Sequence, residues 1–432
     1  MKVESTQNPS FEPQENKPPA HGRSPLVVIF FTVFIDLVGF GIIIPLSPYL
    51  AREFHATPFQ IGALLSIYSI TQFLFSPFWG SLSDRIGRRP VILVGLLGGS
   101  AAYLLFAFSQ TLWLLFVARG LAGVFGGNIS TAHAYIADVT TAEERSKGMG
   151  MIGAAFGLGF IFGPLIGGGL GIVGQYLGTT PPLGSSFPAL GAALICLMNF
   201  VFAYLVLRES LPMDIRGKVQ AEKRVRRKRW REIWTQLSRP VAGPLMIVFF
   251  LSGFAMSQME AMLIPYLAEV FKWDLAKSSL GFAYIGVLMV ITQGYLVRKW
   301  MPKFGEMRTL LFGLGCFSLS LALIPPSYSV AFLGLTMTLL ALGNGLMRPP
   351  NLGMVSLVTP ADQQGIAMGV TNSLSSLARI IGPIMGGLLY EGVGRGAPFY
   401  FAGVIAFIAF VVVAMISRRG DLERALKEVK NV

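Results

Sequence analysis

The chain has 432 residues, of which 53% are hydrophobic and only 13% charged. A soluble domain carries about 25% charged residues, so this composition cannot clothe a water-facing surface and excludes soluble enzymes and soluble binding modules. The formal net charge of +13 would suggest nucleic acid in a soluble protein, but in a lipid-embedded one it first reports topology.

Residues 1–24 are polar and rich in Pro and charge. No short apolar stretch ends there in a small-residue cleavage site, so a disordered cytoplasmic tail is expected and not a signal peptide. Beyond it, stretches of roughly 20 apolar residues, the length that crosses a bilayer as a helix, recur twelve times. The first six are Leu26–Leu50, Phe59–Trp79, Val91–Ser109, Leu112–Ile136, Met149–Leu170 and Phe187–Leu207. The second six are Val241–Ala268, Ser278–Val297, Thr309–Ile324, Ala331–Val355, Ala367–Leu389 and Phe399–Ile416. The organisation expected is a tail (1–24), a six-helix bundle (25–207), a basic cytoplasmic linker (208–240), a second bundle (241–417) and a C-terminal tail (418–432).

Basic residues gather on one side of these spans: Arg85, Arg88 and Arg89, then Arg145 and Lys147, the loop after Leu207, Arg298 to Arg308, and the C-terminal tail. The opposite loops offer little beyond Arg52, Lys272, Lys277 and Arg395. The positive-inside rule then puts both termini in the cytoplasm. The run Lys223-Arg224-Val225-Arg226-Arg227-Lys228-Arg229 reads as a linker drawn to anionic lipid headgroups and not as a nucleic-acid patch. Cys196 and Cys316 lie in apolar runs and the three His residues are scattered, so no disulfide framework, metal or other cofactor is expected.

The halves repeat. At an offset of 219 positions Val139-Thr140-Thr141-Ala142 meets Val358-Thr359-Pro360-Ala361, and Gly163-Pro164-Leu165-Ile166-Gly167-Gly168 meets Gly382-Pro383-Ile384-Met385-Gly386-Gly387. Parallel repeats of this kind place a substrate site between the halves, near the bilayer middle.

Four segments carry chemistry. The loop after the second span contains Gly80, Asp84, Arg85, Gly87, Arg88 and Arg89. Gly80 permits close helix approach, Gly87 a turn with positive φ, and Asp84 an interaction with a helix N-terminus or a basic partner. The fourth span holds Arg119 in Arg119-Gly120-Leu121-Ala122-Gly123. An Arg inside a lone helix costs roughly 2.5–3.5 kcal/mol, so it must meet a partner or a wet cavity, unless it lies near the interface. The fifth span reads Gly157-Leu158-Gly159-Phe160-Ile161-Phe162-Gly163-Pro164-Leu165-Ile166-Gly167-Gly168, whose glycines allow close packing while Pro164 bends the helix. The first span carries Asp36, and an intramembrane carboxylate is a functional candidate by default.

The loop resembles the signature loop of the major facilitator superfamily, and the fifth-span segment resembles the pattern of its antiporters. Asp36-Leu37-Val38-Gly39-Phe40-Gly41-Ile42-Ile43-Ile44-Pro45, with Tyr68, Gln72 and Ile136-Ala137-Asp138-Val139-Thr140-Thr141-Ala142, is similar to the tetracycline-exporter-like branch of the drug:proton antiporters. The resemblance implies an all-α membrane protein with twelve transmembrane helices in two pseudo-symmetric six-helix bundles, the major facilitator fold. It implies proton-coupled export of a small organic substrate, a monomer, and a bacterial inner membrane. It further implies a latch in which Asp84 meets the start of the eleventh helix and Arg88 pairs with Asp138, and proton coupling assisted by Arg119. The second-half copy of the loop, Gly294-Tyr295-Leu296-Val297-Arg298, has Arg where the acid would stand, so the latch is expected to be one-sided.

Glu260 is a second intramembrane acid. Gln258, Asn128, His133, Gln293, Asn344, Arg348, Asn351, Asn372 and Arg379 are further cavity candidates, and some of them are equally readable as helix-to-helix hydrogen bonds. His133 is a candidate proton carrier because an imidazole titrates near neutrality. A lipid or metabolite carrier on the same fold is the alternative transporter, and a membrane-bound enzyme the alternative of another class. The dinucleotide-like Gly169-Leu170-Gly171-Ile172-Val173-Gly174 follows a membrane helix and no strand, so it is set aside.

Overall fold

The computed structural model describes residues 25–141, 144–211, 229–360 and 363–419. The N-terminal tail, the C-terminal tail beyond Arg419 and most of the basic run fall outside these residues. The described chain is helical: α1 (Pro25–Glu53), α2 (Pro58–Ile86), α3 (Arg88–Ala107), α4 (Leu112–Gly126), α5 (Ile129–Val139), α6 (Arg145–Leu177), α7 (Phe187–Val206), α8 (Arg229–Leu237), α9 (Ala242–Val270), α10 (Leu275–Ile291), α11 (Val297–Phe304), α12 (Glu306–Leu323), α13 (Val330–Leu357), α14 (Gln364–Gly392) and α15 (Ala397–Arg419). In lipid a helix satisfies every backbone polar group within its own segment, which is why apolar sequence of this length takes that form.

Among the described residues, eleven segments are long and apolar enough to cross a membrane, with α4 and α5 counted together and α10 running on to Phe304. The 29 residues of α14 also suffice in length, but Asn372, Ser373, Ser375, Ser376 and Arg379 dilute its hydropathy. With α14 the crossings are consistent with the expected twelve. Four helices start on side-chain caps that accept a backbone N–H three residues on: Thr57 from Gln60, Thr111 from Leu114, Asp274 from Lys277 and Ser329 from Phe332. All four begin at the face opposite the chain termini, where four otherwise orphaned N–H groups are satisfied.

Two expected boundaries move. The fourth span is not one helix: it breaks at Gly127 and Asn128 between α4 and α5. The Gln72 amide donates to the Gly126 carbonyl at 3.1 Å and the Trp79 indole to the Val124 carbonyl at 2.6 Å, so α2 supplies partners that the broken ladder lacks. The eighth span does not end at Val297. It passes through a π-turn at Thr292–Leu296 into α11, so Gly294–Arg298 is helix and the turn lies at Gly305, φ 79°. In the first half Gly87 makes the corresponding turn at φ 106°, a region only glycine enters freely.

Helices α1, α3, α4, α6 and α7 pack among themselves, as do α9, α10, α12, α13 and α15, while α2 meets α14 and α6 meets α10 across the seam between these groups. The seam is backbone on backbone. A Cβ added at Gly62 would lie 2.1 Å from the Pro383 carbonyl oxygen, and one at Gly387 would lie 2.4 Å from the Pro58 oxygen. At the face bearing the termini, by contrast, Gly150, Gly153, Gly294, Gly365 and Gly369 have open space beside them. Gly334, Gly392 and Gly394 near the side-chain caps are equally open, so it is the backbone contacts at Gly62 and Gly387 that mark the capped face as the closed one.

Candidate transport site

The fifth-span glycines lie on two faces of α6. Gly159, Gly163 and Gly167, spaced by four, press on α1: added Cβ atoms would lie 2.8 Å from Leu37, 2.6 Å from Gly41 and 3.3 Å from Ile42. Gly157 and Gly168 turn to α10, at 3.1 Å from Val290 and 3.0 Å from Ser279. Pro164 has no N–H for the Phe160 carbonyl, and Gly286 of α10 backs onto that oxygen so closely that an added Cβ would lie 3.1 Å from it. In α14, Pro383 likewise has no N–H for the Arg379 carbonyl, and the two carbonyls that flank it take donors from neighbouring helices. Ser257 of α9 donates to the Ala378 carbonyl at 2.9 Å, and Ser66 of α2 donates to the Ile380 carbonyl at 2.7 Å.

This packing brings charged groups together at mid-depth between the halves. In the first half the Arg119 guanidinium lies over the Tyr68 ring, 4.7 Å from its centroid. Arg119 is only 2% exposed, and its Nε and one Nη have no hydrogen-bond partner. Asp36 receives the Cys196 thiol at 3.8 Å and borders a void of about 10 Å³ lined also by Thr32, Leu96 and Asn128, room for about one water. Tyr68 stands in electrostatic range of Asp36, Arg119 and, across the seam, Arg379. In the second half Glu260 is in range of both Arg348 and Arg379, and Arg348 lies 5.5 Å from the Phe249 ring centroid. Arg348, Arg379, Asn372 and Gln293 are exposed although they sit inside long helices.

Other candidates are placed elsewhere. Gln258 is fully buried inside the second half, where its amide donates to the Pro398 carbonyl at 3.1 Å. The Asn344 amide points to Met289 Sδ at 3.5 Å, and Asn351 is 2% exposed. All three are buried, and the amide oxygen of each has no hydrogen-bond partner. His133 is exposed, with Nδ1 on the Ile129 carbonyl of its own helix at 2.9 Å. Asn128 packs against Gly95 within the first half, and Gln72 binds the Tyr68 hydroxyl at 3.3 Å besides bridging the α4–α5 break.

At the termini face, Arg88 is almost fully buried and holds two acids. Its Nη1 lies 2.7 Å from Asp84 Oδ1, and its Nε lies 3.0 Å from Asp138 Oδ2. Nη1 also donates to Ser83 Oγ at 2.7 Å. Arg89 donates to the Tyr204 carbonyl at 2.6 Å and stacks on that ring, while Arg85 is exposed and Gly80 approaches Ser130. Residues 361–362, which lead into α14 where Asp84 was expected to make contact, lie outside the described residues.

Sequence reasoning missed two parts. Glu209 accepts the Arg88 and Arg89 N–H groups at 2.7 and 3.2 Å and so caps α3, and Ser210 donates to Asp138 at 3.1 Å. An acid just past the sixth span was the only available sign. Cys196 drew no role from its apolar run, yet its thiol points to Asp36. No cluster suited to a metal occurs among the described residues.

The comparisons with known proteins agree with one another. The Major Facilitator Superfamily profile matches residues 29–379 and 299–430. The chain is 30% identical over 408 residues to the class C tetracycline resistance protein of Escherichia coli, covering 93% of this chain and 98% of that one. It is 30% identical over 396 residues to multidrug resistance protein 1 of Bacillus subtilis (strain 168), covering 90% and 95%. The crystal structure of the human organic anion transporter MFSD10 (TETRAN) superimposes with a TM-score of 0.66 at 25% identity, over 92% of this chain and all of that one. The helical fold and these matches carry one conclusion: the chain belongs to the major facilitator superfamily, and it is a secondary membrane transporter, not an enzyme.

Proposed function

We propose that the protein exports small organic compounds in exchange for protons, by alternating access between halves 25–207 and 241–417, as a monomer in a bacterial inner membrane with both termini cytoplasmic. The observation that supports this is charge inside otherwise apolar helices of both halves: Asp36 and Arg119 beside Tyr68 in the first, Glu260, Arg348 and Arg379 in the second, with Tyr68 and Arg379 in electrostatic range across the seam. With the termini cytoplasmic, the conformation is inward-open, ready to take substrate from the cell. Relatives named for tetracycline and multidrug resistance support export over import.

Asp36 is the candidate proton carrier, beside a void about the size of one water and an arginine with unpartnered nitrogens. Protonation removes its charge, and a ligand drives the cycle only by binding the two conformations unequally. The Arg88–Asp84–Asp138 cluster acts as the latch that holds the cytoplasmic ends when that face closes. The basic linker 208–240 lies at the inner leaflet, where anionic lipids attract it.

Purified protein in liposomes, given an imposed pH gradient, should accumulate a transported dye, and a protonophore should abolish accumulation. Asp36→Asn should keep the dye bound but lose the gradient dependence. Transport unchanged after the gradient is collapsed, without sodium dependence in its place, would show facilitated diffusion instead.

A further inference from the structure

The central charges do not balance. In the first half Asp36 and Arg119 offset one another in sign, both within reach of Tyr68. In the second half one carboxylate, Glu260, faces two guanidinium groups, Arg348 and Arg379, which also lie in range of each other. Neither arginine has a carboxylate within ion-pair distance among the described residues, where the ion pairs are those of Arg88. Two guanidinium groups thus share one carboxylate, and both are exposed, so an anion from solution can reach them.

The placement of the two side chains fits a ligand better than packing. Both are exposed while sitting deep in α13 and α14. The backbone beside Arg379 is clamped on both sides, Ala378 by Ser257 and Ile380 by Ser66, so the residue is held at the seam. The Phe249 ring covers one face of the Arg348 guanidinium. Stacking of this kind leaves the N–H edges of the planar fork free, and those edges match a carboxylate in bidentate geometry.

We infer that Arg348 and Arg379 form an anion subsite, and that the compounds carried bear an ionised acidic group, a carboxylate or a similar oxyanion, which docks there beside Phe249. This rests on the reading of the seam cluster as the substrate cavity. The acidic group supplies the missing negative charge, and Glu260 neutralises the second arginine. The rest of the molecule extends across the seam toward Tyr68 and Arg119.

Dansylglycine and its neutral amide, dansylglycinamide, differ only in this charge. Binding of each to detergent-purified full-length protein is read by fluorescence anisotropy. The acid should bind more tightly than the amide. Arg348→Gln and Arg379→Gln should each weaken the acid by about tenfold or more, the scale of a hydrogen bond to a charged group, and leave the amide unchanged. Lysine at either position should restore part of the affinity, and a monodisperse elution profile excludes misfolding. Equal affinity for acid and amide, no binding of the acid, or glutamine variants that bind the acid like the wild type would overturn the subsite. Displacement of the probe by phosphatidylglycerol but not by excess free acid would assign the arginines to a lipid phosphate and overturn the substrate reading. Acid binding without pH-driven flux in liposomes would overturn proton-coupled export and leave the subsite standing.

Discussion

Gly62→Ala probes the sealed face directly. The added Cβ would lie 2.1 Å from the Pro383 oxygen and 2.8 Å from its carbon, against an ordinary contact of at least 3.4 Å. Both atoms are backbone, so no side chain can swing away, and α2 and α14 must part by about 1.3 Å, the gap between those two distances. Overpacking of this kind costs about 1–3 kcal/mol. The gain in helix propensity from Gly to Ala, about 0.8–1.0 kcal/mol, applies whether this face is sealed or open and cancels between the two. The equilibrium should therefore shift toward the conformation open at this face by about 5- to 150-fold. A Cys introduced by Ser66→Cys, buried at the same seam, reports the shift as its rate of modification by a membrane-impermeant maleimide. Gly99→Ala, with open space around it, is the control and should not change the rate. Equal labelling with and without Gly62→Ala would refute the claim that backbone contact at this position holds the seam shut.

Three further outcomes are expected. Arg88→Asp and Asp138→Arg should each impair transport, and the double swap should recover part of it, since the 3.0 Å pair is restored with reversed sign; losses that merely add in a double-mutant cycle would separate the two residues. Glu209→Ala should lower stability by about 0.5–2 kcal/mol, the worth of a helix cap, with faster hydrogen exchange at the start of α3 read by mass spectrometry. Gln72→Leu leaves the Gly126 carbonyl without its donor and should destabilise the fold by about 1–3 kcal/mol, measured as a lower midpoint of thermal unfolding in detergent.

The fold was legible because a bilayer filters sequence by one coarse property: length of apolar run. That is why eleven spans show plainly, and why α14, lined with Asn, Ser and Arg, stands at the edge of the same test. What run length cannot show is where a helix changes its internal rule. The α4–α5 break at Gly127 depends on carbonyl partners that Gln72 and Trp79 bring from another helix. The π-turn at Thr292–Leu296 adds one residue to a turn without any loss of hydropathy. The site was half legible for a related reason. Asp36, Arg119, Glu260, Arg348 and Arg379 stand out as charges in apolar helices, but the direction of a polar residue depends on its neighbours. Gln258 and Glu260 are two positions apart, so on a helix they face different ways. One meets Pro398 inside the second half, and the other meets the arginines.

The seam has an evolutionary corollary. Where α2 meets α14, main chain touches main chain at Gly62 and Gly387, and only glycine permits that approach, so these positions are closed to change. The charged positions of the proposed substrate site are side chains instead, and these can be exchanged one at a time. Selection for a new compound can therefore rewrite the residues around Arg348 and Arg379 while the machinery that opens and closes stays as it was. A lineage built this way can diversify its cargo quickly without reinventing its motor.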